Sequence, residues 1–503
     1  MKKQPLYVFM LLIVVLWTGM ITAHAQQRRS PLKVLFVGYD PSKPMPQAKQ
    51  RYPGGMSKEM FEKQYPMRMP AFSALLRKYF AEVKTMDCRD WKPVDADPYD
   101  VVIFDFNTTI LENAEEKKDA DGKTKYIAER YLPDNFSKPV VFIATTAARM
   151  GERLGLKLDW LCHCLNSDAH HLNTQHAIFK GPLERVMPTL VMKETPEGIY
   201  HYTSGDTIPK EIPMWRVNIP EAFNGETPIG LVSRGDRFTE GPDAEVISSG
   251  VCTKDVGAVA LGRHGNFFLW GFGSSPAEMT EEAKKVFVNV VAYMKQFDGR
   301  MPITRKYNER MATTGMIKET VGRVSKEGYD EHVKMINEFN ESNAKEKKRI
   351  EDKKSAGQAL TLSEEESLKY LGFPQPAGSY EEYLKKNMAK YADRFGTNAA
   401  AYQQFMKNNM DYLYCDPNAF YDYSVDEDVQ KIGVSNHSIK LLDACIDMMK
   451  RNDQPDLALR VLKRYTGENF TTAKEWSKWL TGNRKKLFFS ETGGYRFIIN
   501  TYK

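Results

Sequence analysis

Six cysteines in 503 residues are too few for a disulfide framework, so the cores must be held by apolar burial. Of Cys88, Cys162, Cys164, Cys252, Cys415 and Cys445, the pair Cys415 and Cys445 is the bridge to expect in an oxidising space. Charge of one sign is equally scarce. The formal net charge of +6 drops by two once Lys2 and Lys3 are removed, too mild to argue for a nucleic-acid partner. Long apolar runs are missing except at the start. MKKQPLYVFMLLIVVLWTGMITAHA carries two positive charges, an apolar run from Leu6 to Trp17 and the small-residue pattern Ala23-His24-Ala25. Residues 1–25 are therefore expected to be a secretory signal peptide, cut after Ala25, that sends the chain to the periplasm or outside the cell. The run is short for a membrane span of about 20 residues and no cysteine follows for a lipid, so no membrane anchor is expected after cleavage. About 478 of the 503 residues then remain, enough for two or three domains.

Leu32 to Tyr39, LKVLFVGY, is a near-continuous apolar run of the kind buried on both faces of a parallel sheet. The long connection Pro41 to Pro70, with Lys43, Arg51, Tyr52, Gly54, Gly55 and Tyr65, is expected to be a lid. No Gly-Lys-Ser/Thr follows its Gly-Gly pair, so the phosphate-loop pattern is not completed. Phe72, Leu75, Leu76, Tyr79 and Phe80 make a helical stripe, and Ala81 to Met86, Tyr99 to Phe106 and Val140 to Ala144 read as further strands. The alternation predicts an open, doubly wound α/β sheet. From about 185 to 275 the character changes to short runs (LVMKE, GIYHYT, PMWRVNI, PIGLVSR, AEVISSG, GAVALG, NFFLWGF) that predict partly antiparallel strands. Gly265-Asn266 predicts a hairpin turn with Arg263 and His264 at its tip. Ala283, Val286, Phe287, Val290, Val291, Met294 and Phe297 then share one helix face, stopped at Gly299.

Beyond Arg300, residues 299–360 read as a polar linker or solvated helix, on the strength of the run Asn337 to Lys354, and 361–503 as a mainly helical domain. Ser363/Glu366, Ser379/Glu382 and Thr472/Glu475 fit helix capping boxes, and Ile439–Met449 with Leu457–Tyr465 fit a helical hairpin. Trp476, Trp479, Phe488, Phe489, Tyr495 and Phe497 are expected to be core rather than sugar-stacking rings.

The stretch Lys138 to Gly155, KPVVFIATTAARMGERLG, reads as a buried strand turning sharply into a helix, the elbow where many α/β hydrolytic enzymes mount a nucleophile. The residue at the turn is Ala144. This stretch, together with LKVLFVGY, YDVVIFDF, NTQHAIFKGP and the closing GNFFLWGFGSSPAEMTEEAKKVFVNVVAYM, resembles the ThuA-like branch of the class I glutamine amidotransferase-like superfamily over about residues 31–298. The resemblance implies a Rossmann-like, flavodoxin-like open sheet and a link to sugar utilisation. It also implies that Ala144 stands where amidotransferases carry their cysteine, and that Phe272 to Glu278 lacks their histidine. Without a thiolate and its base, glutamine hydrolysis is not expected.

Ligands of open α/β sheets bind beyond the carboxyl ends of the strands. That position nominates Tyr39, Asp40, Asp105, Asn107, Thr145, Thr146 and Gly271 to Ser275, with Arg149 one turn into the elbow helix for an anion, and Arg263 and His264 from the hairpin tip. Asp105 and Asn107 would grip sugar hydroxyls; equally, Asp105 and Thr145 would serve only as turn and cap residues. No cofactor is expected, with a divalent metal as the alternative. Cys162, His163 and Cys164, followed by Asp168, His170, His171 and His176, suit zinc or copper by ligand type but match no standard zinc spacing. Three functions follow: binding or processing of a small-molecule or glycan ligand, a non-catalytic scaffold with a protein partner on its helical tail, or a metal-dependent hydrolase.

Overall fold

The computed structural model describes residues 29–502 except 47–51, 53–55, 119–123, 159–161, 166, 196–208, 220–227, 239, 253–254, 308–310, 361 and 416–420. The expected signal segment 1–25, Arg51, Gly54, Gly55 and the run from Gly198 to Thr203 lie outside the described residues.

In chain order the first region comprises β1 (Ser30–Gly38), α1 (Lys58–Tyr79), β2 (Phe80–Asp87), β3 (Val101–Phe104), β4 (Val140–Ile143), α2 (Thr146–Glu152), β5 (Cys162–Leu165), β6 (Asp168–His170), β7 (Leu190–Glu194), β8 (Glu211–Arg216), β9 (Gly230–Val232), β10 (Ala244–Gly250), β11 (Val259–His264), β12 (Phe267–Trp270) and α3 (Glu281–Met294). Ten of these strands form one mixed sheet in the order β2-β1-β3-β4-β12-β11-β10-β6-β8-β7. The first five are parallel, and every pairing from β12 to β7 is antiparallel.

The near-continuous apolar strands follow from burial on both faces. Val34 and Phe36 of β1, Val101 and Ile103 of β3, and Val141 and Ile143 of β4 face a core shared with Phe72 and Leu76 of α1 and Val286 and Phe287 of α3. Their alternates Leu35, Val37, Val102, Phe104, Val140 and Phe142 face a second core shared with Ala147 and Met150 of α2 and with Trp91. The expected loop to Pro70 is instead helical from Lys58, with Pro66 and Pro70 inside α1. Each proline removes one backbone bond, and the burial of Phe61, Tyr65, Met69, Phe72, Leu75 and Leu76 along the same helix outweighs that loss. Ser57 starts the helix by accepting a hydrogen bond from the Met60 N–H.

The second region is largely helical. It contains α4 (Thr314–Arg323), the 30-residue α5 (Lys326–Ser355) and helices Tyr380–Met388, Ala399–Asn409, Lys440–Arg451, Pro455–Thr466 and Ala473–Asn483, and ends in a hairpin of Leu487–Ser490 with Arg496–Ile499. The polar run expected as linker or solvated helix lies within α5, where Ile350 is the buried residue. Within 299–360, Met311, Ala312, Ile317 and Val321 share a core with Leu384, Tyr402 and Tyr495. The capping boxes of Ser379 with Glu382 and Thr472 with Glu475 form as expected; the side chains of Ser363 and Glu366 lie outside those described. Trp476, Tyr495 and Phe497 are core. Cys415 and Cys445 are not bridged, since they belong to two different cores. Among the described residues no helix is long and apolar enough to cross a membrane.

Candidate functional site

The chain leaves β1 to add β2 on one side and β3 on the other, so the carboxyl ends of β1 and β3 border a crevice. Asp105, the residue after β3, sits there with its carboxylate gripped by Arg68 of α1 through two bonds, Nε to Oδ2 at 2.7 Å and Nη2 to Oδ1 at 2.6 Å. Both side chains are about 4% exposed. A fully buried pair of this kind is retained only with good geometry, which the two-point fork supplies. On the same helix and in the segment after β3 several buried polar atoms have no protein partner: Arg68 Nη1, both amide atoms of Gln64 one helical turn earlier, and the hydroxyl of Thr108 three residues after Asp105. Asn107, two residues after Asp105, is half-buried.

Asp40 forms a turn, its Oδ1 accepting from the Ser42 N–H at 2.8 Å and hydroxyl at 2.7 Å. Those bonds hold its pKa below the ordinary carboxylate value. Its own N–H donates to Asp87, whose carboxylate is clamped by Arg89. The Tyr65 hydroxyl donates to the carbonyls of Asp40 and Lys43, and Tyr52, Met56, Phe61 and Tyr65 cluster with Tyr39 over this end of the sheet. The described part of the expected lid therefore packs against the carboxyl end of β1, and from Lys58 it is helix rather than loop. Cys88 is buried nearby, and burial together with the Asp87 charge pushes its thiol pKa up, so it stays protonated.

The elbow is present at the end of β4. Ala144 is fully buried with φ of 48°, in the left-handed region that a residue with a Cβ seldom adopts. Thr145 opens α2 without a side-chain cap bond, and Arg149 is exposed one turn on. The Thr146 hydroxyl is directed onto the carbonyls of Phe104 and Ile143, so it is structural and unavailable as a nucleophile. Beyond β12 the segment Gly271 to Ser275 is buried, Ser274 Oγ has no partner, and Ser275 donates to Glu278.

Arg263 and His264 do not join this crevice. They sit on the β11–β12 turn, beside Phe267, which pairs with Val140 at the amino end of β4. Strand direction decides the matter: an antiparallel hairpin before a parallel strand places its tip at the opposite end of the sheet. Arg263 is occupied there by Glu245 and two backbone carbonyls, and lies over the Phe297 ring. His264 accepts from the Lys157 N–H and faces Asp243.

The histidines expected as metal ligands are dispersed. Asp168 is paired with Lys193 and Arg216, and His176 caps the short helix Ala177–Lys180 while lying 3.7 Å from Glu245. His170 and His171 bond one another through their Nδ1 atoms at 2.6 Å. His163 lies on β5 between two cysteines. Among the described residues, the group whose ligand atoms come close enough to hold one ion is Cys162, Cys164 and Cys252.

Sequence reasoning named Asp105 but missed Arg68 and Gln64. Their signal was the helical spacing Gln64, Arg68, Phe72, Leu76, which the two prolines concealed. No family model, curated protein or solved structure matches this chain.

Proposed function

We propose that this chain is an exported, ThuA-like protein that holds a carbohydrate-derived ligand in the crevice at β1 and β3, without the thiol chemistry of glutamine amidotransferases. Counting its parallel strands alone, the sheet order is 2-1-3-4-5, which supports a flavodoxin-like reading with its switch point at that crevice. The observation that carries the ligand is the set of partnerless buried atoms on Gln64, Arg68 and Thr108. Native proteins leave few such atoms, and a carboxamide and a guanidinium edge one helical turn apart, with a hydroxyl three residues after the Asp105 that this guanidinium grips, offer the mixed donors and acceptors that sugar hydroxyls and a sugar carboxylate match. Ala144 brings no nucleophile, and Ser274 stands in the segment where amidotransferases carry histidine.

The test is a thermal-shift screen of neutral sugars, sugar acids and peptidoglycan fragments, followed by calorimetry on the hits, using the wild type and Gln64→Leu. Removing an unsatisfied buried amide should stabilise the free protein by about 1–3 kcal/mol while abolishing the ligand-induced shift. A flat screen with the wild type, or an undiminished shift in the variant, overturns the crevice as the binding site.

A further inference from the structure

Cys162 and Cys164 stand two apart on β5, so their side chains leave the same face of the strand. Cys252 follows β10 and is fully buried. The three sulfurs lie within 4.8 Å of one another, with Cys164 Sγ 3.4 Å from Cys252 Sγ, and Cys162 is bonded to Cys164 as a disulfide. A cation held by three thiolates with bonds of about 2.3 Å spaces its sulfurs about 3.8–4.0 Å apart, which this cluster accommodates once the bridge is open. No carboxylate or imidazole joins the group among the described residues. The surroundings are apolar: Leu165, Val232, Ile247, Ala258 and Ala260 share the same core. A site of thiolates alone in an apolar shell rejects hard ions such as magnesium and calcium. Zinc would need a fourth donor, whereas three thiolates complete a trigonal sphere for Cu(I).

We propose that Cys162, Cys164 and Cys252 form a site for a single soft cation, Cu(I) above all, which the Cys162–Cys164 disulfide closes and a dithiol reductant opens. In the opening step the reductant supplies two electrons and two protons, the Cys162–Cys164 bond breaks to two thiols, and the reductant leaves as its own disulfide. Cu(I) then forms bonds to sulfur as the thiol protons pass to solvent, so uptake weakens at low pH. This site is separate from the Gln64–Arg68–Asp105 crevice and stands whether or not a sugar binds there.

The experiment uses the chain reduced with a dithiol without oxygen, desalted, and titrated with Cu(I) against a chromogenic Cu(I) chelator, beside a sample left oxidised. The reduced protein should retain one ion per chain and the oxidised protein none. Cys252→Ser and Cys164→Ser should each weaken retention by about tenfold or more with unchanged circular dichroism. Should the buried Cys252→Ser fail to fold, the half-buried Cys164→Ser decides the matter alone. Absence of stoichiometric uptake by the reduced wild type, equal uptake by the oxidised protein, or full retention in the folded variant overturns the proposal.

Discussion

His170 shows what a fully buried side chain can commit to at the scale of one residue. Its Nε2 lies 3.1 Å from the Gly250 carbonyl, so the ring proton belongs on Nε2 and Nδ1 is left to accept from His171. Burial, and then the neighbouring His171, push its pKa down to about 4. The folded chain therefore refuses a proton that the unfolded chain accepts below about pH 6.5, so stability is full above that value and falls as pH drops towards 4. The loss should reach about 3 kcal/mol, and urea unfolding across that range should show a flatter profile in His170→Gln. An identical slope in the variant would assign the loss to other groups. Residues of this kind were only partly legible. His170 was visible as a member of a histidine-rich run, but the run gave no hint that its members point to different partners. Asp105 was visible from its place after an apolar strand. Arg68 was not, because its partner is 37 positions away and nothing local marks the pair.

At the scale of elements, β1, β3 and β4 were legible because burial on both faces demands unbroken apolar runs, and α3 because its stripe repeats without interruption. The amino-terminal half of α1 was not, since two prolines outweigh its stripe in any local reading. The β11–β12 hairpin was legible as a hairpin, yet which end of the sheet it occupies depends on strand direction, which no short segment encodes. Three residues beyond the elbow helix stands Gly155, whose φ is +65° and where an added Cβ would stand 2.7 Å from the Lys306 carbonyl oxygen. Gly155→Ala should thus pay twice, for a left-handed backbone and for a displaced carbonyl, costing about 2–4 kcal/mol. Gly357 shares a positive φ of +72° but has nothing within 4 Å of its added Cβ, so Gly357→Ala should cost only the backbone share, about 1 kcal/mol. Denaturant unfolding of the two variants separates the shares, and equal losses would rule out the contact with Lys306 as the cause.

Across the whole molecule the sheet region and the helical region are joined by buried polar bonds rather than by a loose tether. Asp243 Oδ2 accepts from the N–H groups of Ile303 at 2.6 Å and Thr304 at 2.9 Å, and Lys306 N–H donates to the Gly155 carbonyl. Glu240 accepts from the Thr492 N–H and the Ser490 hydroxyl, tying the closing hairpin to the sheet region. Lys157, fully buried, lies near both acidic side chains; burial pushes its pKa down and the two acids oppose that shift. Burial alone would raise the Asp243 pKa, but the adjacent His264 ring, Lys157 and the Thr304 N–H outweigh it and leave the carboxyl below its ordinary value. A lowered carboxyl contributes stability above the unfolded carboxylate value and loses it as pH falls through the folded one, so this joint should hold to lower pH than contacts made by ordinary carboxylates and should loosen once Asp243 protonates. Asp243→Ala removes the acceptor of two backbone N–H groups and strands Lys157 beside one carboxylate fewer, which should cost about 2–5 kcal/mol. The loss should appear as a split of the calorimetric transition into two and as protease cleavage near residues 300–307, while a single undivided transition at the wild-type temperature would show that apolar packing alone holds the regions together.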